Sequence, residues 1–344
     1  MTLSGKIFSL FCFWNVLLVT AVIAAQEGKL TRFEYTAERM GVPVRVALYA
    51  PNEKEAEEAS DALYLCFDRL NAAMTDYDPE SEIIQVCRKG GESGQFVPVS
   101  DDLAKVLAES RYYTTLTGGT FDITVSPIVK LWRRSRSFKK LPPDEYLADA
   151  RQLIGNDKWE LKGNSVRILK KGVRFDVGGI AKGYALDAAL ELLRLRGIHS
   201  ALIDAGGDLR IGDPPPGEKG WQVKFATLNV PAGMTAPTPC FLTLANVGIA
   251  SSGDTFRYVE IDGLRYSHLI DPRTGRPLTT PRVVSVIAPT ATMADALASA
   301  VTVLGPEEGR KLVNTLKKVD FLFYQLEGTP QSPSLRTEKT TLFE

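Results

Sequence analysis

The side chains best suited to chemistry lie in a few short clusters. At Ala294-Asp295-Ala296-Leu297-Ala298-Ser299 a carboxylate and a hydroxyl stand four residues apart, which places them on one face of a helix. Their neighbours are small or apolar, so that face should be buried, and an ionised Asp295 there needs a partner or a cation. Hard oxygen donors of this kind suit Mg2+, which keeps waters and draws further ligands from phosphate. A carboxylate so placed can equally cap or bond a neighbouring loop. The loop Tyr266 to Gly275 gathers His268, Asp271, Arg273 and Thr274, with Asp-Pro and Thr-Gly stiffening the turn. His268 titrates in the range of a general base, although a structural hydrogen bond is an equal use for it. Arg273 can clamp a phosphate or carboxylate in a fork.

Two glycine turns could receive an anion. Arg174-Phe-Asp-Val-Gly-Gly-Ile-Ala-Lys-Gly-Tyr-Ala-Leu-Asp187 reads as a strand end, a turn, and a helix opening near Lys182. Gly178 and Gly179 lack a Cβ, so a bulky anionic group can approach their N–H donors. The helix N-terminus adds partial positive charge and Lys182 a full one. Plain turn geometry explains such a pair as well. Asp204-Ala-Gly-Gly-Asp208 repeats the theme at a second strand end.

The elements that must position these groups follow from periodicity. Val42, Val44, Val46 and Leu48 alternate with Pro43, Arg45, Ala47 and Tyr49, the period of a half-buried strand, and Pro43 suggests an edge position. Helical spacing covers residues 53–74, 101–117, 144–154, 180–196 and 292–304. Residues 74–82 form a polar turn, 133–143 an exposed basic connection, and 159–169 a hairpin turning at Lys162-Gly163-Asn164 that leads into a strand at Val173. Further strands are expected at 201–210, 221–225, 240–247, 283–288 and 321–325. From Glu327 the chain is polar and proline-broken, so residues 331–344 are expected to be a weakly ordered tail. No internal period is found, which excludes repeat architectures.

Charge excludes one class of partner. Lys+Arg and Asp+Glu balance at 41 each in the 344 residues, so no basic field invites nucleic acid. Residues 1–25 stand apart, with Lys6 as the only charge, an apolar run from Ile7 to Ile23 and the small pair Ala24-Ala25. That is the pattern of a signal peptide. An uncleaved anchor is the other reading, and both place the remainder outside the cytoplasm. Beyond Cys12 there remain Cys66, Cys87 and Cys240, which leave room for one disulfide without specifying it.

Taken in order, these segments resemble the ApbE family of FAD:protein FMN transferases. The resemblance rests on Met40-Gly41, Met74 to Glu82, Gly118-Gly-Thr-Phe121-Asp122-Ile-Thr-Val-Ser-Pro127 with Leu131-Trp132, and Asp176 to Tyr184. It continues through Asp204 to Asp208, Ser252-Gly253-Asp254, Tyr266 to Gly275 and Ala294-Asp295. It implies an α+β fold of mixed sheets flanked by helices, with the FAD site in a cleft between two subdomains that meet near residue 140 of a 26–330 domain. It implies Mg2+-dependent transfer of FMN from FAD to a Thr or Ser hydroxyl of an exported protein, releasing AMP. The acceptor would be a flavin-bearing subunit of a membrane redox complex, and the enzyme periplasmic, either free or attached to the inner membrane. By the same resemblance Asp295, Ser299 and the Ala181 carbonyl hold the metal, and His268 deprotonates the acceptor. Met40, Tyr77, Phe121, Asp122, Gly178, Gly179, Lys182, Gly206, Gly207, Asp208, Ser252, Gly253, Asp254, Arg273 and Thr274 surround FAD together with His268. Ser299 stands where the family usually has Thr, and Val42 and Ser251 also replace threonines. An FAD pyrophosphatase and a non-catalytic periplasmic flavin-binding protein remain the competing readings.

Overall fold

The computed structural model describes residues 30–254, 257–329 and 332–343, so the leader expected over residues 1–25 lies outside them. An eight-stranded sheet organises the chain. From edge to edge its strands are Thr31–Arg39, Val42–Ala50, Ala201–Ala205, Asp208–Ile211, Gly248–Gly253, Arg282–Ala288, Asp320–Thr329 and Ser332–Lys339. The class is α+β as expected, but every recorded pairing is antiparallel, so the sheets are not mixed.

The period of two in the strands sorts their side chains between two faces. Val284, Val286 and Ala288 join Phe321 and Phe323 in one buried cluster, while Val283 and Ile287 join Leu322 and Tyr324 in another. The first face is covered by helices. α1 (Glu53–Met74) begins at Asn52, whose side chain accepts from Glu55 N–H, satisfying an otherwise unpaired helix-end donor. α2 (Glu82–Ser93), α3 (Asp101–Leu116) and, later, α6 (Ala181–Leu195) share the largest core with it. α7 (Ala291–Leu304) is alanine-rich, which lets it sit close on strands Gly248–Gly253 and Arg282–Ala288, and α8 (Pro306–Asn314) packs behind it. The hairpin Trp221–Lys224 with Phe241–Leu244 covers the other face.

A smaller lobe combines helices that follow α3 with a hairpin that comes after α6 in the chain. α4 (Ser126–Phe138), α5 (Asp144–Arg151) and the hairpin Tyr258–Ile261 with Leu264–Ser267 enclose Ile128, Trp132, Leu147, Val259, Ile261 and Tyr266. Trp132 stacks on Tyr266 at 5.3 Å and donates from Nε1 to the Gly275 carbonyl at 2.9 Å. This ties α4 to the histidine loop.

Several expectations are corrected. Val42–Ala50 is not an edge strand, because Thr31–Arg39 lies outside it. Pro43 is tolerated there as a carbonyl acceptor for Gly206 N–H at 3.1 Å. The first part of the basic connection expected over 133–143 is instead the second half of α4, since Ile128, Trp132 and Ser135 supply a buried helical stripe, and only residues 139–143 connect it to α5. α2 was hidden because Gly90-Gly91 in its last turns reads as a stop signal. No strand precedes the Gly178-Gly179 turn; residues 173–177 are irregular, held by Asp176 N–H donating to the Ile123 carbonyl at 2.7 Å. The tail expected over 331–344 supplies strand Ser332–Lys339 and places Phe343 in the second core, 4.8 Å from Phe225. Its alternation, with Leu335 partly buried against that core, is diluted by the surrounding charges.

Candidate active site

The site is built where α6 and α7 run antiparallel. α6 opens directly from the Gly178-Gly179 turn, which Asp176 shapes by accepting from Gly178 N–H at 3.0 Å. Gly179 lies beneath Ser299 of α7: a Cβ there would stand 2.8 Å from Ser299 Oγ and 3.4 Å from Phe121 Cε2. One turn further, Gly183 donates its N–H to Asp295 Oδ2 at 3.1 Å. A Cβ on Gly183 would collide with the Ala291 carbonyl, so the helices approach this closely only because residue 183 is glycine. Ala181, buried at the head of α6, lies between these two contacts in the chain.

Charge concentrates at the same place. Asp295 is only 6% exposed, and burial, then the neighbouring Asp208, push its carboxyl up to about 7 against the pull of Lys182 and the Gly183 N–H. Lys182 pairs with Asp208. Burial disfavours its charge, but Asp208 and Asp295 outweigh that, and the ammonium is held above its usual range. Two carboxylates therefore share one lysine, an arrangement that is short of a cation. Among the described residues no group of three His, Cys, Asp or Glu is placed to hold a metal. The residues fit a hard divalent cation in a different way, through the Asp295 carboxylate and Ser299 hydroxyl on one face of α7, with phosphate and water completing the shell.

The sheet brings in the second glycine turn. Asp208 Oδ1 accepts from Ser251 N–H at 3.0 Å, linking the Gly206-Gly207 hairpin to the strand that carries Ser252 and Gly253. Met40 and Gly41, both at positive φ, form the neighbouring hairpin tip, and Gly206 packs against Val42 there. Asp208, the partner of Lys182, is thus tied to Ser251 beside Ser252 and Gly253, and the Gly206-Gly207 turn lies beside the Met40-Gly41 tip.

His268 belongs to the edge of this region. It is half-buried, and its Nδ1 lies 3.1 Å from the Arg257 carbonyl. Burial pulls its pKa down to about 4; the Arg257 carbonyl and the Asp254 charge raise it, while the charges of Arg257 and Arg136 lower it. The imidazole is accordingly neutral at neutral pH, with Nε2 available as an acceptor when Nδ1 carries the proton. The Arg257 charge acts on both His268 and Lys182, so the two groups lie within one field.

Other expected residues are spent on local structure. Asp122 Oδ1 accepts from both Thr124 N–H and Thr124 Oγ. Asp254 is fully buried, pairing with Arg265 and accepting from Arg282 N–H at 3.0 Å. Arg273 grips Asp271 through Nε and Nη2 at 3.0 and 2.9 Å, and Thr274 Oγ donates to the Asp271 carbonyl. Gly119 lies against Arg273, its Cβ position 3.7 Å from Arg273 Cγ. Tyr77 is 80% exposed, with the Arg133 guanidinium 5.2 Å from its ring centre. Arg133, which sequence reasoning left in a surface connection, also pairs with Asp76 at 2.7 Å and approaches Asp176 at 3.7 Å. Asp187 was likewise passed over, although it follows Gly183 by one helical turn. Cys66, Cys87 and Cys240 are free thiols.

An antiparallel α+β core with two helices meeting over a buried carboxylate defines the class of site. Residues 40–323 match the ApbE family, and the chain belongs to that family. The FAD:protein FMN transferase of Haemophilus influenzae is 32% identical over 269 residues, covering 76% of this chain and 76% of the relative. That of Vibrio cholerae is 28% identical over 302 residues, covering 86% and 89%. In architecture the chain resembles the flavin transferase ApbE from Vibrio cholerae, with a TM-score of 0.76 at 23% identity over 90% of this chain and 97% of that one. The ApbE protein of Thermotoga maritima superposes with a TM-score of 0.73 at 28% identity, over 90% and 97%.

Proposed function

We propose that this protein is a flavin transferase that moves the FMN half of FAD onto a Thr or Ser hydroxyl of an acceptor protein. The observation that carries this reading is the pairing of α6 and α7, which brings Gly179, Lys182, Gly183, Asp208, Asp295 and Ser299 together. Relatives named FAD:protein FMN transferase support it. The acceptor oxygen bonds to the phosphorus on the riboflavin side of the diphosphate, the bond from that phosphorus to the AMP phosphate breaks, and AMP leaves. His268 takes the hydroxyl proton at Nε2, for which its low pKa keeps it free. Lys182 and the N–H groups of the Gly178-Gly179 turn bind diphosphate oxygens. The Met40 and Gly206-Gly207 tips, with Phe121 and Tyr77, flank the rings.

The residues that would hold Mg2+ are Asp295, Ser299 and the carbonyl of Ala181. When bound, the cation neutralises charge on the transferring and leaving oxygens. The export pattern of residues 1–25 supports action in the periplasm or at the outer face of the inner membrane, on an exported flavin-bearing subunit of a membrane redox complex. The test is incubation with FAD, Mg2+ and an exported protein bearing a candidate Thr or Ser, read by mass spectrometry. A gain of one FMN on the acceptor, together with AMP, is expected. Free FMN with no protein-bound flavin would replace this reading with that of a pyrophosphatase.

A further inference from the structure

α7 receives its N-terminal cap from another helix. The Asp187 side chain of α6 accepts from Ala291 N–H at 3.0 Å through Oδ1, and from Thr292 N–H at 2.8 Å and Thr292 Oγ at 2.6 Å through Oδ2. Arg210 Nε stands 2.7 Å from Oδ1 on the remaining side. The local cap, Thr290 Oγ accepting from Met293 N–H at 3.1 Å, is present as well. Asp187 therefore adds something that a local cap cannot: it fixes α7 relative to α6. One turn along, Asp295 of α7 returns the interaction by accepting from Gly183 N–H in the first turn of α6. Each helix lends a carboxylate to the positive end of the other.

This exchange sets both the rotation and the height of α7. The first turn of the helix is held at residues 291 and 292, so Asp295 and Ser299 follow at one and two turns along the same face. A slip of one residue would move them by about 1.5 Å and 100°, away from Gly183 and Gly179. With both carboxylate oxygens engaged by four donor groups, Asp187 is not itself a metal ligand. We propose that Asp187 is a positioning residue for the divalent-cation site, acting through the register it imposes on α7, an inference that rests on the metal-binding reading above.

The test is Mn2+ affinity, measured by the loss of free-ion electron paramagnetic resonance signal on titrating the whole protein, without turnover. Asp187→Asn should weaken Mn2+ binding by about tenfold, the usual size of an outer-shell effect. Thr292→Val, which removes only the hydroxyl bond, should weaken it by a smaller factor. Val313→Ala, at a buried position within α8, serves as a destabilised control and should bind Mn2+ as the parent does. The inference is overturned if Asp187→Asn binds Mn2+ normally, or if Val313→Ala weakens it equally at a matched fall in Tm. Should Asp187→Asn fail to fold, unchanged affinity in Thr292→Val is decisive against it. A parent protein that binds no Mn2+ at all would instead remove the metal reading, and this inference with it.

Discussion

Gly179 lies directly beneath Ser299, with 2.8 Å between the serine Oγ and the place a glycine Cβ would occupy. Residue 179 is not among the glycines at positive φ, so alanine there meets a steric obstacle rather than a backbone one. Gly179→Ala should therefore cost about 1–3 kcal/mol as an overpacked contact and displace the Ser299 hydroxyl. The expected result is a modest fall in Tm with at least a tenfold loss of flavin transfer, by analogy with small misplacements at active sites. Adding Ser299→Ala should recover Tm without recovering transfer. If the double variant regained activity, the hydroxyl would have no role.

Asp295→Asn separates the charge of this residue from its shape. Asparagine still offers an oxygen to Gly183 N–H, while the burial and Asp208 repulsion that push the carboxyl up to about 7 disappear. In metal-free buffer at pH 8 the variant should thus melt at or above the temperature of the parent. The rise in Tm expected of the parent on adding Mg2+ should be lost. Differential scanning calorimetry with and without Mg2+ checks both halves.

For His268 the folded pKa of about 4 lies below the ordinary 6.5. Between those values the unfolded chain takes up the proton first, so stability is full above pH 6.5 and declines as pH falls toward 4. The same ordering keeps the base unprotonated, so at Mg2+ concentrations high enough to hold Asp295 ionised against its own pKa of about 7, transfer should stay level from pH 8 down to about 5 before falling. An acid limb centred near 6.5 would contradict the burial of this ring in the working enzyme. His268→Gln should lower transfer by about 100-fold or more, with FAD affinity, followed by flavin fluorescence, nearly unchanged.

The C-terminal strand allows a prediction about stability alone. Phe343 is 7% exposed and packs edge-on against Phe225. Phe343→Ala should destabilise the protein by about 3 kcal/mol, read from urea midpoints at constant m-value. Cutting the chain after residue 329 would uncover the edge of strand Asp320–Thr329, and self-association detectable by light scattering is expected.

Much of this architecture is visible in the sequence where one period dominates. The strand around Val44, Val46 and Leu48, the hairpin at Gly163, and helices α1, α6 and α7 are of this kind. Elements were missed where a local signal contradicts tertiary packing. Gly90-Gly91 obscures α2, the basic residues from Arg133 obscure the second half of α4, and charge obscures the strand Ser332–Lys339. At the site, Asp295 and Ser299 could be paired from their four-residue spacing alone. The ties of Asp254 to Arg265 and of Arg273 to Asp271 could not, because both residue types serve ligands and neighbours equally well. Asp187 was missed for a related reason, since the donors it caps lie more than one hundred positions away in the chain.

That separation has a consequence for how the protein acquires its site. Gly183 and Asp295 are 112 positions apart, and four of the eight strands of the central sheet are threaded between them. Bringing such distant partners together carries a loop-closure cost that local structure cannot offset early, so the α6–α7 clasp should form among the last contacts of folding. A nascent or half-collapsed chain would then hold neither cation nor diphosphate tightly. Ligand capture would begin only when the whole sheet is in place, and a stopped-flow refolding trace followed by Mn2+ uptake should lag behind one followed by far-ultraviolet circular dichroism.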